Sequence, residues 1–525
     1  MSTLPRAQSG LIMTVAIAVV GALVGGVILA TSGSASDVEL TTARFVPADA
    51  GLYVAFNTDL SSSQWVSAFN IIEKLGQKNP KDELKKTAEQ DGNVNWDKDV
   101  APFLGGNAAF YLHGGNLLGG DFAGAVILKC TDSARAIEVI KEQSGGEFTS
   151  AEHEGATYEA DDFSGLFVAN LDHHLVIASS QAAMEEVIDV HSGKSPSLDN
   201  VTDFKNLRDE VSGDFLAFVY MSSEHLLGDT FFNDPTVRAA LDKSGAGDLA
   251  FKPVAAVIGA KGTAFQFQEA SLGKAQSVSS LLTPHKSRFV GVVPAETSIF
   301  FSTNNVAKTW DDIVKAAGTQ IDDAIREEGT YQNLDDAMRA GGKELGLASA
   351  KDLIDLFTGE TAVAGWFPDH RTETAEWVVL GEVSDQAHAT DVLSSVAKAS
   401  AVGGVQSETT NGIEVHLFTT TDGTAMAYAI RDGYVVVGSA AGVKKTLAGG
   451  QTLAQTDAYA NTVKQMPSAL GTYTYLDMSS VLSVASENGA PVQLDDAQNA
   501  LEGLIINWVD ERDVLRLNGV LSVKK

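Results

Sequence analysis

The chain has 525 residues, with 37 basic and 68 acidic side chains, a formal charge of −31 and a single cysteine. Such a charge repels phosphate backbones and anionic headgroups, so nucleic acid is not an expected partner. One cysteine excludes an intrachain disulfide scaffold, and 49 glycines beside only 12 prolines exclude proline-rich classes, so the domains must be held by core packing.

Residues 1–10 read as a cytoplasmic tail whose one charged side chain is Arg6. Leu11 to Ala30 (LIMTVAIAVVGALVGGVILA) carries no charge. As a helix it spans about 30 Å, the thickness of a bilayer's hydrocarbon core, and is expected to be a transmembrane anchor. Asp37 and Glu39 flank its far end, which keeps the tail inside and places the rest of the chain outside the cytoplasm. The expected address is the cell membrane, single-pass. Secretion after cleavage near Gly33-Ser34-Ala35 is the alternative, although the apolar run exceeds the usual signal-peptide core. Gly21 and Gly25 share one helix face and mark a candidate homodimer contact. Residues 31–42 read as a linker.

Residues 43–272 read as one domain. Val46-Pro47-Ala48-Asp49 opens it and the strand-like Leu52 to Asn57 follows. Trp65, Phe69, Ile72 and Leu75 recur at helical spacing and mark one buried face. Asp91, Asn93, Asn95, Asp97 and Asp99 then place oxygens at alternate positions, as calcium loops do. Trp96 stands where an EF-hand needs its turn glycine, and Pro102 where it needs the closing glutamate, so a polar turn without tight calcium binding is expected. Ala108–Leu112, Ala125–Leu128 and Leu175–Ile177 read as strands, and Ser133–Ala136 as part of a helix. Residues 273–286 (GKAQSVSSLLTPHK) read as a linker.

Residues 287–525 repeat the same order. Val293-Pro294-Ala295-Glu296 opens the second domain, and Ile299 to Asn304 leads into a helix with Trp310. Phe103-Leu104-Gly105-Gly106 parallels Phe357-Thr358-Gly359-Glu360, Ala125–Leu128 parallels Trp377–Leu380, and Leu175–Ser179 parallels Val435–Ser439. Met221-Ser222-Ser223 parallels Met478-Ser479-Ser480, and Ala264–Phe267 parallels Val514–Leu517. A period this long marks two tandem copies of one domain, not a solenoid. Consecutive strands joined by short turns demand antiparallel pairing, so the expected class is α+β, a mostly antiparallel sheet with helices on one face.

Val46-Pro47-Ala48-Asp49 after an N-terminal span, followed by Asp99-Val100-Ala101-Pro102-Phe103-Leu104-Gly105 and a strand–turn–helix, resembles the bacterial domain-of-unknown-function family 3352. The resemblance covers most of residues 43–523. It implies a cell-envelope setting and brings no catalytic residues with it.

No catalytic constellation is legible. The chain lacks His-Glu-x-x-His, a cysteine pair, a Walker loop and a Gly-x-Ser-x-Gly elbow. His173 and His174 are adjacent on a strand and so point apart, unsuited to chelating one ion. His113-Gly114-Gly115-Asn116 reads as a hairpin turn and Gly245 to Ala250 as a loop. Trp65 and Trp310 read as core residues and not as a carbohydrate platform. No catalytic, cofactor or metal residue is assigned. The expected function is a non-enzymatic binding or scaffolding module of the cell envelope. Its expected partners are the membrane, through residues 11–30, and an envelope protein or small ligand. The alternative is an envelope hydrolase whose carboxylates meet only in the fold.

Overall fold

The computed structural model describes residues 40–76, 82, 85, 86, 89, 95–113, 123–144, 146–161, 165–211, 213–226, 236, 252–273, 278–488 and 499–525. The candidate anchor at residues 11–30, its Gly21 and Gly25, and the calcium candidates Asp91 and Asn93 lie outside them, as do Gly114 to Asn116 and Gly245 to Ala250. Among the described residues no helix is long and apolar enough to cross a membrane. The chain divides into two compact units, Met1–Gly273 and Lys274–Lys525, and both mix helices with antiparallel sheet, an α+β composition.

In unit 1 the elements run β1 (Leu52–Asn57), α1 (Ser63–Lys74), β2 (Leu104–His113), β3 (Ala123–Cys130), α2 (Ser133–Ser144), β4 (Thr149–His153), β5 (Ala156–Asp161), β6 (Leu166–Leu171), β7 (His174–Ala178), α3 (Gln181–His191), α4 (Thr202–Glu210), β8 (Ala217–Met221), β9 (Val254–Lys261) and β10 (Ala264–Leu272). Every pairing within the unit is antiparallel, in the spatial order β4-β5-β6-β7-β3-β2-β1-β8-β9-β10. β1 is central and apolar on both faces. On one face Val54 and Phe56 pack beneath Trp65, Ala68 and Ile72 of α1. On the other, Tyr53 meets Phe204 of α4 with ring centroids 5.8 Å apart. Helices therefore cover both faces of this sheet and not one, because a strand buried on two sides needs two covers. The N-cap Ser62 accepts from Trp65 N at 3.4 Å, and the indole donates to Asn57 O at 2.9 Å, fixing α1 against β1.

Unit 2 contains β11 (Ile299–Asn304), α5 (Val306–Glu328), α6 (Leu334–Glu344), α7 (Lys351–Ile354), β12 (Glu360–Trp366), β13 (Glu376–Glu382), α8 (Gln386–Ser400), β14 (Gln406–Thr410), β15 (Ile413–Thr419), β16 (Ala425–Arg431), β17 (Tyr434–Ser439), α9 (Ala440–Ala448), α10 (Asp457–Lys464), β18 (Thr472–Asp477), α11 (Met478–Glu487), β19 (Leu501–Glu511) and β20 (Val514–Val523). Its strand order is β14-β15-β16-β17-β13-β12-β11-β18-β19-β20, position for position that of unit 1. Corresponding hairpins also turn alike. Asp172 and His173 have φ of 48° and 61°, Asp432 and Gly433 of 48° and 79°, the left-handed pair of a tight hairpin turn.

Register corrects one parallel drawn from sequence. Val126 pairs with Phe110, and Val379 with Val363, so Val126 corresponds to Val379 and Ala125 to Val378, one residue away from the match of Ala125 to Trp377. A one-residue slip exchanges the faces of a strand, and two short apolar runs cannot reveal it by themselves.

Residues 279–285 of the segment read as a linker bond to strands and turns of unit 2. Ser279 donates to Asp510 at 2.6 Å, Thr472 donates to Leu281 O at 2.7 Å, and His285 N donates to Leu470 O at 2.8 Å. Phe300, Trp366, Tyr473, Tyr475 and Ile505 form the main core on one face of this sheet. Among the described residues the opposite face is incompletely covered. Ile299, Val363, Trp377 and Trp508 on it are 36–40% exposed. Trp310 on α5 is only half-buried, unlike Trp65.

Candidate functional site

The calcium candidates that the structure describes are committed to a local turn. Asn95 Oδ1 accepts from Lys98 N at 2.9 Å, Asp99 Oδ2 accepts from Asn95 N at 3.2 Å, and Asp97 pairs with Lys85. Asn95 thus caps the turn Trp96–Val100 and Asp99 returns to the Asn95 N–H, while Asp97 is held by a lysine. His173 is exposed in the hairpin turn and only His174 is on the strand, where it is buried, so the turn and not strand alternation divides the adjacent pair.

His174 is 3% exposed. Its Nδ1 donates to Asp172 O at 2.8 Å, and its ring lies 4.6 Å from Phe45, which stacks on His191 at 5.3 Å on centroids. Nε2 is buried without a hydrogen-bond partner. Burial holds this imidazole below its ordinary pKa, and the charges of Arg44 and Lys129 act in the same direction. It lines a surface cleft of about 440 Å³ together with Arg44, Lys129, Cys130 and His173. Burial pushes the Cys130 thiol up, which makes it an inert packing group.

Two histidine–carboxylate clusters form in unit 1 from residues far apart in sequence. At one end of the sheet, His113 Nε2 lies 3.2 Å from Asp49 Oδ2 and its Nδ1 2.6 Å from Glu186 Oε1. Tyr111 donates to the other Glu186 oxygen at 3.4 Å. The hydrogen bond to Glu186 holds the His113 pKa above its ordinary value, against burial and with the help of both carboxylate charges. In the second cluster His153 Nε2 meets Asp189 Oδ1 at 2.6 Å, and the Lys194 ammonium bridges Asp189 at 3.1 Å and Glu154 at 2.9 Å. Burial pushes the Asp189 carboxyl up, but His153 and Lys194 together outweigh it and hold it low.

Unit 2 holds a buried acid. Glu360 is 4% exposed and accepts from Ser302 at 2.9 Å, from Arg288 N at 2.7 Å and from Ser287. His285 Nε2 lies 2.9 Å from Ser302 Oγ. The grouping contains the residue types of a hydrolase, but Ser302 is fully buried and its proton is committed to Glu360, so the imidazole donates to the hydroxyl and does not activate it. Its effect is to seal residues 285–288 onto β11 and β12. Sequence reasoning found neither Glu360 nor the Asp49–His113–Glu186 group. The only local hint was Asp49 and Glu296 at matching positions of the two opening motifs.

The family model described as "Protein of unknown function (DUF3352)" matches residues 11–504. Among solved structures, crystal forms I and IV of TP0453 are similar at 12% identity, over 46% of this chain and 79% and 81% of theirs, with a TM-score of 0.24 in both. No curated protein matches.

Proposed function

The chain belongs to the DUF3352 family of proteins of unknown function, and from that premise we propose that it is a membrane-anchored binding or scaffolding module whose two domains stand outside the cytoplasm. The anchor is the uncharged run Leu11 to Ala30. The domains descend from a duplication, a reading supported by the identical strand order of the two units.

One observation carries the binding role. The register places Trp377, Ile299 and Leu476 in one row across the open face of unit 2 and Val379, Val363, Phe301, Thr474 and Ile506 in the next, while Thr303, bonded to Thr472 at 2.7 Å, and Trp508 form a third. A largely apolar sheet face, interrupted only by threonines, at this exposure costs solubility and is a common mark of an interaction surface. In unit 1 the matching face lies beneath Trp65, Ala68 and Ile72.

The test is site-specific photocrosslinking in intact cells from Val363 and, as a control, from Lys194 on the polar surface of unit 1. A discrete adduct formed from Val363, absent from Lys194 and lost in Trp377→Glu, is expected. Equal labelling from both positions would remove the basis for this role.

A further inference from the structure

Two places in the molecule correspond by register. Asp49 and Glu296 each lie three residues before the first strand of their unit. His113 follows Leu112, the partner of Leu52, and Trp366 follows Gly365, the partner of Ile299. Glu186 lies six residues after the N-cap Ser180, and Lys445 six after the N-cap Ser439. The trio Asp49, His113 and Glu186 therefore occupies the place of Glu296, Trp366 and Lys445.

Their charges differ. In unit 2 the Lys445 ammonium sits 3.3 Å from Glu296 and 5.7 Å from the Trp366 ring centroid, so the carboxylate has a resident cation. Unit 1 replaces that ammonium with a second carboxylate and the indole with an imidazole. The His153 cluster is again different, because Lys194 already spans Glu154 and Asp189. Only at Asp49, His113 and Glu186, of these three places, do two carboxylates and an aromatic nitrogen converge without a lysine, with one ligand atom from each within 4.8 Å of the others.

We propose that this trio is a binding site for a divalent transition cation of the zinc class. Asp49 Oδ2 and His113 Nε2 are the direct ligands. Their 3.2 Å separation is close to the edge of a tetrahedron with metal–ligand bonds of about 2.0–2.1 Å, roughly 3.3 Å. Glu186, 2.6 Å from the other ring nitrogen, plays the orienting carboxylate that metal-bound histidines habitually have. Tyr111 steadies that carboxylate in turn. The Asp49 side chain is 60% exposed, which leaves the remaining coordination positions open to water or to a ligand's donor atom. Imidazole with carboxylate selects zinc, cobalt or nickel over calcium.

The test is titration of the full chain, stripped of metal, with Zn²⁺ by calorimetry and with Co²⁺ by visible absorption. One equivalent should bind, with a cobalt spectrum that reports nitrogen coordination, and Ca²⁺ should not compete. Asp49→Asn and His113→Gln should each weaken binding at least 100-fold, and Glu186→Gln by about 10–100-fold. The exposed Asp49 makes Asp49→Asn the variant least able to disturb folding, and its unchanged circular dichroism and melting temperature without metal serve as the control. Zn²⁺ binding that survives both Asp49→Asn and His113→Gln, or the absence of a stoichiometric site in the unaltered chain, would overturn the assignment. The latter outcome would mean that the carboxylates hold only the protonated imidazole.

Discussion

At the scale of single residues, buried polar groups give this protein its sharpest dependences. Glu360 satisfies two serine hydroxyls and one backbone N–H in a site closed to water. Glu360→Ala strands all three donors and is expected to cost about 3 kcal/mol. Glu360→Gln keeps the shape but turns an amide donor toward a donor, so about 1–2 kcal/mol is expected. Chemical denaturation of the two variants gives the ranking, and near-native stability of Glu360→Ala would show that the network is ornamental.

His174 makes a different prediction. Its folded pKa lies below the unfolded value, so the folded state prefers the neutral ring. Above the ordinary histidine range neither state is protonated and nothing is lost. As pH falls through the unfolded value of about 6.5, the unfolded chain takes up the proton first and stability declines until the folded pKa is reached. The groups facing the ring are Arg44, Lys129, Asp172 and, across Phe45, His191. Between pH 8 and pH 5 His113, whose pKa is raised, acts in the opposite direction in both proteins, so thermal melts of the unaltered chain should lose more stability, or gain less, than those of His174→Gln. An equal slope in both proteins would place the sensitivity elsewhere.

At the scale of elements, the helical excursion of unit 2 offers a paired test in adjacent residues of α6. Gly342 is buried, and a Cβ there would come within 2.5–2.6 Å of Ser349 Cα and Ala350 N, both backbone atoms. At Gly341 a Cβ would meet only the Ala350 methyl at 3.8 Å. Alanine is worth about 1 kcal/mol over glycine within a helix. Gly341→Ala should therefore stabilise by about 0.5–1 kcal/mol, and Gly342→Ala should destabilise because the close approach of α6 to residues 349–350 must open. Thermal melts that move both variants in the same direction would contradict this reading of the α6–α7 junction.

At the scale of the whole molecule, all of the charge of −31 lies outside residues 11–30, which carry none, and each unit has a packed core. A chain lacking residues 1–31 should be soluble without detergent and unfold cooperatively. Aggregation of that chain would implicate the open face of unit 2 instead, where Val363 is 40% exposed, and a Val363→Glu variant would then recover solubility.

The order of elements in each half, the antiparallel character of the sheets and the membership of DUF3352 were legible in the sequence. Apolar periodicity, short turns and the paired opening motifs at residues 46–49 and 293–296 are local signals that survive in a linear string. Register was not legible, because Ala125–Leu128 and Trp377–Leu380 are apolar throughout and slide by one residue without penalty until neighbouring strands fix which side chains meet. The absorption of residues 279–285 into unit 2 was equally hidden, since a polar run reads as a linker until Asp510, Thr472 and Leu470 supply its partners. Only tertiary structure could assemble Asp49, His113 and Glu186, which are separated by 64 and 73 residues and joined where the end of β2 and the flank of α3 meet the turn before β1. A constellation of that kind depends on chain crossings, and it leaves no spacing for a sequence to display.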